Sequence, residues 1–152
     1  FECEIFHIPG HTSGHISIYI KKINALFTGD TLFSLGCGRI FEGTYEQMYK
    51  SLNKIKSFPK NTRIYCGHEY TKKNSDFCLS IDTKNLKLKN KIIEIKKNIQ
   101  NGNPTIPTIL ADELECNIFL RSDNLEIQKQ LGIISKDPFK TFAKLRDLKD
   151  NF

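Results

Sequence analysis

Several features that would define other classes of protein are absent from this sequence. Its longest apolar runs, such as ISIYI at residues 16–20, have the length of a strand, whereas a membrane-spanning helix needs roughly 20 apolar residues. The five cysteines are an odd, scattered set without a CxxC pair, which favours thiols in a reducing compartment over a disulfide framework. We therefore expect no membrane association and a cytoplasmic location, with an organelle left open.

A cluster of arginines, lysines and aromatic residues, typical of nucleic-acid-binding proteins, is also missing. The net charge of +6 comes almost entirely from lysines spread along the chain, so we expect solvated lysine surfaces and no nucleic-acid partner. Such a charge can still attract a small anionic substrate. With 39% hydrophobic and 26% charged residues among 152, the chain has the composition of a globular protein with a real core.

Three short turns each follow an apolar run, and each carries one potential metal ligand. PGHTSGH presents His11, FTGDT presents Asp30 and YCGHEYT presents His68. Glycine and serine let the backbone approach an ion closely, and imidazole and carboxylate groups are common metal ligands. The pattern predicts that the three side chains converge on a common metal site.

Taken singly, these and the neighbouring residues also have simpler interpretations. Asp30 could be a turn residue, and His68 could stand at the N-terminus of a helix. His7 is interpreted as a structural or surface residue of a strand. His15 is interpreted as a residue that orients its loop by hydrogen bonding. The order in which the three turns occur favours the metal site.

The first part of the chain has the pattern of a sheet with one helix. Period-2 alternation at residues 16–21 predicts a half-buried strand, and further strands are predicted at 3–8, 25–28 and 63–66. Thr44 and Gln47 form a capping box that begins a helix over 44–57. Gly36, Gly38 and Gly43 predict a loop over 32–43.

The later part of the chain has helical patterns. Apolar residues at 88, 92, 95 and 99 predict a long amphipathic helix that ends at Asn101-Gly102. A short helix is predicted at 124–131, and a last helix begins with Asp137 as N-cap and Pro138 in its first turn. We predict an α+β protein with a β/α part at residues 1–80 and an α-helical part at residues 81–152.

PGHTSGH, FTGDTLF, GCGRIFEGT and YCGHEYT closely resemble glyoxalase II, the hydroxyacylglutathione hydrolase family of the metallo-β-lactamase fold superfamily. The resemblance continues through NPTIPTILADELECNIFLR and LRDLKDNF, so it covers essentially the whole chain. It implies the C-terminal half of a metallo-β-lactamase-type αββα sandwich, followed by an α-helical glutathione-binding region. The family's activity implies a role in methylglyoxal detoxification.

The resemblance implies that His11 binds one metal ion and His68 another, with Asp30 bridging both. Zinc is expected, with iron or manganese as alternatives. A metal-bound hydroxide would hydrolyse the thioester S-D-lactoylglutathione to glutathione and a 2-hydroxy acid. Substrate-binding residues implied by the family are Arg39, Phe41, Tyr70, Arg146 and Lys149, the last two for the glycyl carboxylate of glutathione. Arg39 and Phe41 stand where Lys and Tyr are common in the family.

One departure from the family pattern affects the activity that we expect of this chain. The family's THxHxDH loop is absent, and no HxH sequence occurs anywhere. Each metal ion would keep two protein ligands here, whereas catalytic zinc sites usually have three. We therefore expect a C-terminal portion of such an enzyme that is inactive alone, with an empty or partial site. We expect the apolar surfaces that the other half of the sandwich would cover to support a dimer.

Other functions remain open from the sequence. A persulfide dioxygenase with one iron is the nearest enzyme alternative, although the GCGR loop and the helical tail disfavour it. A non-catalytic module that binds glutathione or another protein is the alternative from a different class. A nuclease-like relative would bind RNA in a steeply salt-dependent manner, and the scattered lysines make it the least favoured.

Overall fold

Five strands form one mixed sheet, and two further strands form a small hairpin beside it. The computed structural model describes residues 2–152, with strands β1 (Glu4–His7), β2 (Ile16–Ile20), β3 (Ala25–Gly29), β4 (Leu32–Phe33), β5 (Gly36–Cys37), β6 (Arg63–Cys66) and β7 (Thr108–Ile109). The sheet order is β1-β2-β3-β6-β7, and β4 pairs with β5. β3 and β6 are parallel, whereas the other neighbours are antiparallel. The C-terminal ends of β3 and β6 therefore lie side by side.

Six helices complete the fold of the described residues, and four of them correspond to helices predicted from the sequence. They are α1 (Tyr45–Lys56), α2 (Thr71–Ile81), α3 (Leu86–Gln100), α4 (Leu110–Cys116), α5 (Leu125–Gln130) and α6 (Pro138–Asp150), with a short 3₁₀ turn at Lys21–Ile23. The capping box of Thr44 and Gln47 is formed. Asn124 and Asp137 cap α5 and α6 through their side chains. Among residues 2–152, no helix has both the length and the apolar content needed to cross a membrane.

Several details differ from the sequence prediction. α2 was not predicted, and the glycine-rich stretch contains the β4–β5 hairpin, where Leu35 has a left-handed backbone with φ of 58°. The apolar faces of α3 and α6 are narrower than predicted, because Ile99, Phe139 and Leu148 remain over one-third exposed. Arg146 of α6 is buried instead, for reasons that the site explains.

The core runs without interruption from the sheet into the helices. Leu26 and Ile64 of the sheet belong to the same buried cluster as Leu52 of α1, Phe119 and Phe142. Strands and helices therefore share one core, which confirms the α+β class. The division at residues 80 and 81 stays a prediction, and it falls one residue before the end of α2.

The opposite face of the sheet carries an apolar row that residues 2–152 leave uncovered. Ile5 is paired with Ile18, Ile18 with Phe27 and Phe27 with Tyr65, so the row crosses four strands. Ile5 is 66% exposed and Phe27 39% exposed, and the Phe27 and Tyr65 rings stack with centroids 5.0 Å apart. Exposed apolar patches of this kind mark surfaces that contact other protein.

Candidate metal and substrate site

His11 lies in the turn between β1 and β2, and its ring is held by the backbone. Its Nδ1 is 2.9 Å from the carbonyl oxygen of Arg39. A carbonyl can only accept, so Nδ1 carries a proton, and in the neutral ring the Nε2 lone pair is available. That Nε2 lies 3.4 Å from Asp30 Oδ2. The tautomer and orientation are those of a metal-ligating histidine whose other nitrogen is anchored.

Asp30 follows β3, and two glycines and one histidine fix its position. A Cβ on Gly67 would lie 2.3 Å from Asp30 Oδ1, and a Cβ on Gly38 would lie 1.9 Å from the Asp30 carbonyl oxygen. Neither position can carry a side chain without displacing Asp30. The Asp30 N–H donates to His15 Nε2 at 3.0 Å, so this nitrogen of His15 is already used. The structure thus gives His15 the orienting role expected for it.

His68 follows β6, on a loop that is fastened to the connection between α3 and β7. Its ring stacks on Tyr70, with centroids 5.0 Å apart and planes 18° apart. The neighbouring Glu69 accepts hydrogen bonds from the N–H of Thr105 at 3.0 Å and from its hydroxyl at 2.5 Å. Thr105 Oγ1 also lies 2.6 Å from Thr71 Oγ1. These contacts fix the backbone that follows His68.

The three candidate ligands converge on a single carboxylate oxygen. His68 Nε2 is 3.5 Å from Asp30 Oδ2, the atom that His11 Nε2 also approaches. A neutral imidazole nitrogen and a carboxylate oxygen repel each other at this distance unless a proton or a cation lies between them. The donor set of two imidazoles and one carboxylate therefore fits metal ions that share Asp30.

The set does not by itself complete the coordination of one ion. Among residues 2–152, no group of three or more His, Cys, Asp or Glu side chains is arranged to hold a metal ion. His11 and His68 approach the same carboxylate oxygen, which is the arrangement of a bridging ligand. The residues present fit as a partial centre that needs further donors.

One cavity of about 460 Å³ contains all of the predicted site residues. This volume is within the usual range for small-molecule sites. His11, Asp30 and His68 line it together with Arg39, Phe41, Tyr70, Arg146 and Lys149. The structure therefore brings the predicted metal ligands and the predicted substrate-binding residues into one site, while the role of each residue stays a prediction.

The cationic end of the cavity is built differently from the sequence expectation. The Arg146 side chain is buried, and its Nη1 donates to the carbonyl of Cys37 at 2.7 Å. Its Nη2 donates to Asp150 at 2.9 Å. Lys149 is half-exposed, and its Nζ donates to the carbonyl of Lys73 at 3.2 Å. Arg146 thus also ties α6 to the β4–β5 hairpin, and Lys149 ties α6 to α2.

Burial and charge shift the pKa values of two groups at this end. Burial, helped by the nearby Arg146 guanidinium, lowers the pKa of Lys149 to about 8. Burial also raises the pKa of the Cys37 thiol, and the Arg146 charge offsets this only in part. Cys37 is therefore a packing residue with an unreactive thiol.

The mouth of the cavity is formed by Arg39 and Phe41. Arg39 Nε is 3.5 Å from Asp150 Oδ1, the oxygen that also pairs with Arg146. The Phe41 ring contacts the His11 ring with centroids 5.0 Å apart, and it is mostly exposed. Phe41 therefore offers an apolar contact beside the predicted ligands.

Sequence reasoning did not select Phe33, Lys73 and Asn74, which also line the cavity. Asn74 is buried and donates to the carbonyl of Ser34 at 3.0 Å, so it supports the hairpin that forms one wall. Lys73 and Asn74 belong to α2, which like α4 was not predicted from the sequence, and this explains why they were missed.

Comparison with known proteins identifies the family. Residues 69–152 match the family model described as hydroxyacylglutathione hydrolase C-terminus, and residues 4–68 match that of the metallo-beta-lactamase superfamily. The chain belongs to the hydroxyacylglutathione hydrolase family. The metallo-β-lactamase match implies metal ions, and the identity of the metal remains a proposal.

The curated relatives that this chain matches are longer than the chain itself. The hydroxyacylglutathione hydrolase of Pelagibacter ubique (strain HTCC1062) is 57% identical over 152 residues, which are 100% of this chain and 58% of that protein. The one from Rhodospirillum rubrum is 44% identical over 151 residues, which are 99% of this chain and 59% of that protein. The chain thus spans less than two thirds of the length of these relatives.

A solved structure confirms the fold. The crystal structure of a metallo-beta-lactamase from Staphylococcus aureus subsp. aureus COL gives a TM-score of 0.52 at 23% identity, covering 97% of this chain and 38% of that chain. The mixed sheet with its helices therefore corresponds to part of the metallo-β-lactamase-type sandwich, as predicted.

Proposed function

We propose that this chain contributes to the hydrolysis of S-(2-hydroxyacyl)glutathione thioesters, with S-D-lactoylglutathione as substrate and glutathione and a 2-hydroxy acid as products. One observation carries the proposal. His11 and His68 approach a single carboxylate oxygen of Asp30 in a cavity that Arg146 and Lys149 also line. Metal ligands and carboxylate-binding cations within one cavity suit an anionic thioester.

In this proposal Asp30 is shared by two metal ions, His11 binding one and His68 the other. Zinc is the proposed metal, with iron or manganese as alternatives. A bound divalent ion polarises the thioester carbonyl and lowers the pKa of water from 15.7 to ~7. The chain's own contribution is to hold the ligands in place, because His11 is tied to the carbonyl of Arg39 and Asp30 to His15.

The substrate-binding residues orient the glutathione moiety in the proposal. Lys149 and Arg146, two cations that line the cavity, bind the glycyl carboxylate in this proposal. Arg39, Phe41 and Tyr70 line the side of the thiol, next to the proposed metal ligands. The Phe41 ring and the stacked pair of Tyr70 and His68 offer ring surfaces that can pack against one side of the thioester.

The proposed reaction needs ligands beyond those of residues 2–152. Two donors for each ion fall short of the usual three, and no HxH sequence occurs in the chain. We propose that the chain binds glutathione conjugates without turning them over by itself, and that donors from additional polypeptide complete the centre. The span of the relatives, of which the chain covers 58% and 59%, supports this proposal.

Calorimetry tests the proposed binding of glutathione and metal ion, and a turnover assay tests the proposed lack of hydrolysis by the chain alone. We expect the chain to bind glutathione. We expect it to bind added Zn²⁺ weakly, and the substitution His68→Ala to abolish this Zn²⁺ binding. His7→Ala is the matched control, because His7 bonds to the carbonyl of Ser13 and does not line the cavity. Hydrolysis of S-D-lactoylglutathione at rates of about 1 s⁻¹ or more by the chain alone would refute the proposed incompleteness.

We also propose that the uncovered face of the sheet supports a dimer. The row of Ile5, Ile18, Phe27 and Tyr65 is the surface that supports this, since sheets pack face to face through such rows. Phe27→Lys is expected to reduce the apparent mass in sedimentation. Leu86→Lys, at an exposed apolar residue on α3, is the control. A monomer at every concentration of the unsubstituted chain would exclude the dimer.

A further inference from the structure

The N-terminus of α2 carries charges of the unfavourable sign. Tyr70 is the N-cap and makes no capping hydrogen bond with its side chain, and the first turn contains no acidic residue. The first turn contains Lys72 and Lys73 instead. The free N–H groups and the helix dipole make this end of a helix positive, so anions stabilise it and cations destabilise it.

The two lysines have different surroundings. Lys72 is an exposed residue that pairs with Asp76 at 3.0 Å, one turn further along α2. Lys73 lines the cavity together with Arg146 and Lys149. Its backbone carbonyl accepts a hydrogen bond from the Lys149 Nζ. The N-terminus of α2 and the C-terminus of α6 thus meet at the cationic end of the cavity.

This end of the cavity has more positive charge than the residues around it neutralise. Arg146 Nε is buried and has no hydrogen-bond partner among residues 2–152. Within that part of the chain, Lys149 makes no ion pair with a carboxylate, whereas Asp150 is shared between Arg146 and Arg39. An unpaired buried donor is costly, and an anion that enters the cavity relieves the repulsion among the cations.

The titration of Lys149 is consistent with this excess of positive charge. Burial has the largest effect in lowering its pKa, followed by the Arg146 charge. Cys78 raises the pKa, Lys73 lowers it by less than Cys78 raises it, and Asp76 has the smallest effect and raises it. The positive charges therefore face one another around an open volume.

We propose that Lys73 is a further specificity-determining residue, which places a third cation beside the carboxylate that Lys149 and Arg146 bind. This inference rests on the proposed function, because it takes the glycyl carboxylate of glutathione as the anion. The positive end of α2 acts on the same carboxylate. A thiol conjugate without a carboxylate at this position gains nothing from Lys73.

The test compares Lys73→Gln with Lys72→Gln in the full 152-residue chain. Calorimetry at low ionic strength measures the dissociation constants of glutathione and of glutathione esterified at its glycyl carboxylate. We expect Lys73→Gln to weaken the binding of glutathione about 3- to 5-fold, the range of a solvent-exposed charge pair. We expect it to leave the binding of the ester unchanged, and Lys72→Gln to change neither ligand.

Each other result overturns a defined statement. If Lys73→Gln and Lys72→Gln weakened the binding of glutathione equally, the effect would be one of general charge, and the proposed role of Lys73 would be wrong. Equal weakening of the acid and the ester in Lys73→Gln would overturn its pairing with the glycyl carboxylate. If the unsubstituted chain binds neither ligand, glutathione itself is the wrong ligand and the proposed function fails. Circular dichroism establishes that both variants are folded.

Discussion

Glu113 is a fully buried carboxylate that joins the helical part of the chain to a wall of the cavity. It lies on α4, and its Oε2 accepts from the N–H of Leu35 at 2.8 Å and from Asn117 Nδ2 at 2.9 Å. Its Oε1 accepts from the Thr108 hydroxyl at 2.7 Å. Asn117 also donates to the carbonyl of Gly36. Glu113 and Asn117 thus hold the β4–β5 hairpin, which contains Cys37 and is followed closely by Arg39.

The substitution Glu113→Ala removes the acceptor of three buried donors. Each unsatisfied buried donor costs about 1–3 kcal/mol. Part of this cost is regained, because the carboxylate no longer has to be buried and the Thr108 hydroxyl can rotate. We therefore expect the free energy of unfolding to fall by about 3 kcal/mol, at the low end of the sum. Urea titration followed by circular dichroism at pH 7 measures it.

Glu113→Gln adds a pH-dependent signature. Burial raises the pKa of Glu113 above its ordinary value of 4.5. Between the unfolded and the folded pKa the native state holds the extra proton, so the stability from Glu113 is complete below the unfolded pKa and declines as pH rises through the folded value. Glutamine has no such dependence. As pH falls from 8 to 5, the free energy of unfolding of the unsubstituted chain should therefore increase relative to that of Glu113→Gln.

Glu115→Ala is the matched control for both measurements. Glu115 lies on the same helix, but it is more than half exposed and pairs with Lys87 at 3.5 Å. Its loss should change the free energy of unfolding by less than about 0.5 kcal/mol. A loss below about 1 kcal/mol in Glu113→Ala, or a pH-independent difference for Glu113→Gln, would refute this account of the hairpin.

Three further predictions follow from the site. Glutathione affinity should fall as pH rises through about 8, where Lys149 loses its proton, and calorimetry on Lys149→Arg should show no such fall. Lys73→Gln should raise the free energy of unfolding by about 0.3–1 kcal/mol, because it removes a cation from a helix N-terminus; an unchanged thermal midpoint would contradict this. Thr105→Val removes its hydroxyl contacts with Glu69 and Thr71 and should cost about 1–2 kcal/mol in urea titration, whereas a neutral result would exclude a fastening role.

Local sequence signals predicted most of the elements, because each of these signals acts within a few residues. The capping box at Thr44 and the cap at Asp137 satisfy backbone donors of the adjacent turn, and both are formed as predicted. The alternation at residues 16–21 likewise gave the half-buried strand β2. The three ligand turns could be grouped from the sequence because each follows a strand, and the parallel pairing of β3 with β6 then brings Asp30 and His68 together.

The remaining features depend on contacts between residues far apart in the chain. A glutamate at position 113 would be expected on the exposed face of a helix. It is buried instead, and it accepts a hydrogen bond from Leu35, which is 78 positions away. Arg146 is also buried, and it donates a hydrogen bond to the carbonyl of Cys37, which is 109 positions away. α2 was missed because it begins with two lysines and without a side-chain cap, so its start resembles a loop. Tertiary packing outweighs local propensity at such positions.

Contacts within the chain hold His11, Asp30 and His68 near one another. A backbone carbonyl orients the His11 ring, His15 accepts from the Asp30 N–H, and the Gly67 N–H donates to the Gly29 carbonyl at 2.9 Å. The approach of both imidazoles to the Asp30 carboxylate is therefore maintained by the fold. If these residues hold metal ions as proposed, binding requires no reorganisation of the loops, and we expect the number of donors to limit metal affinity more than the cost of ordering them.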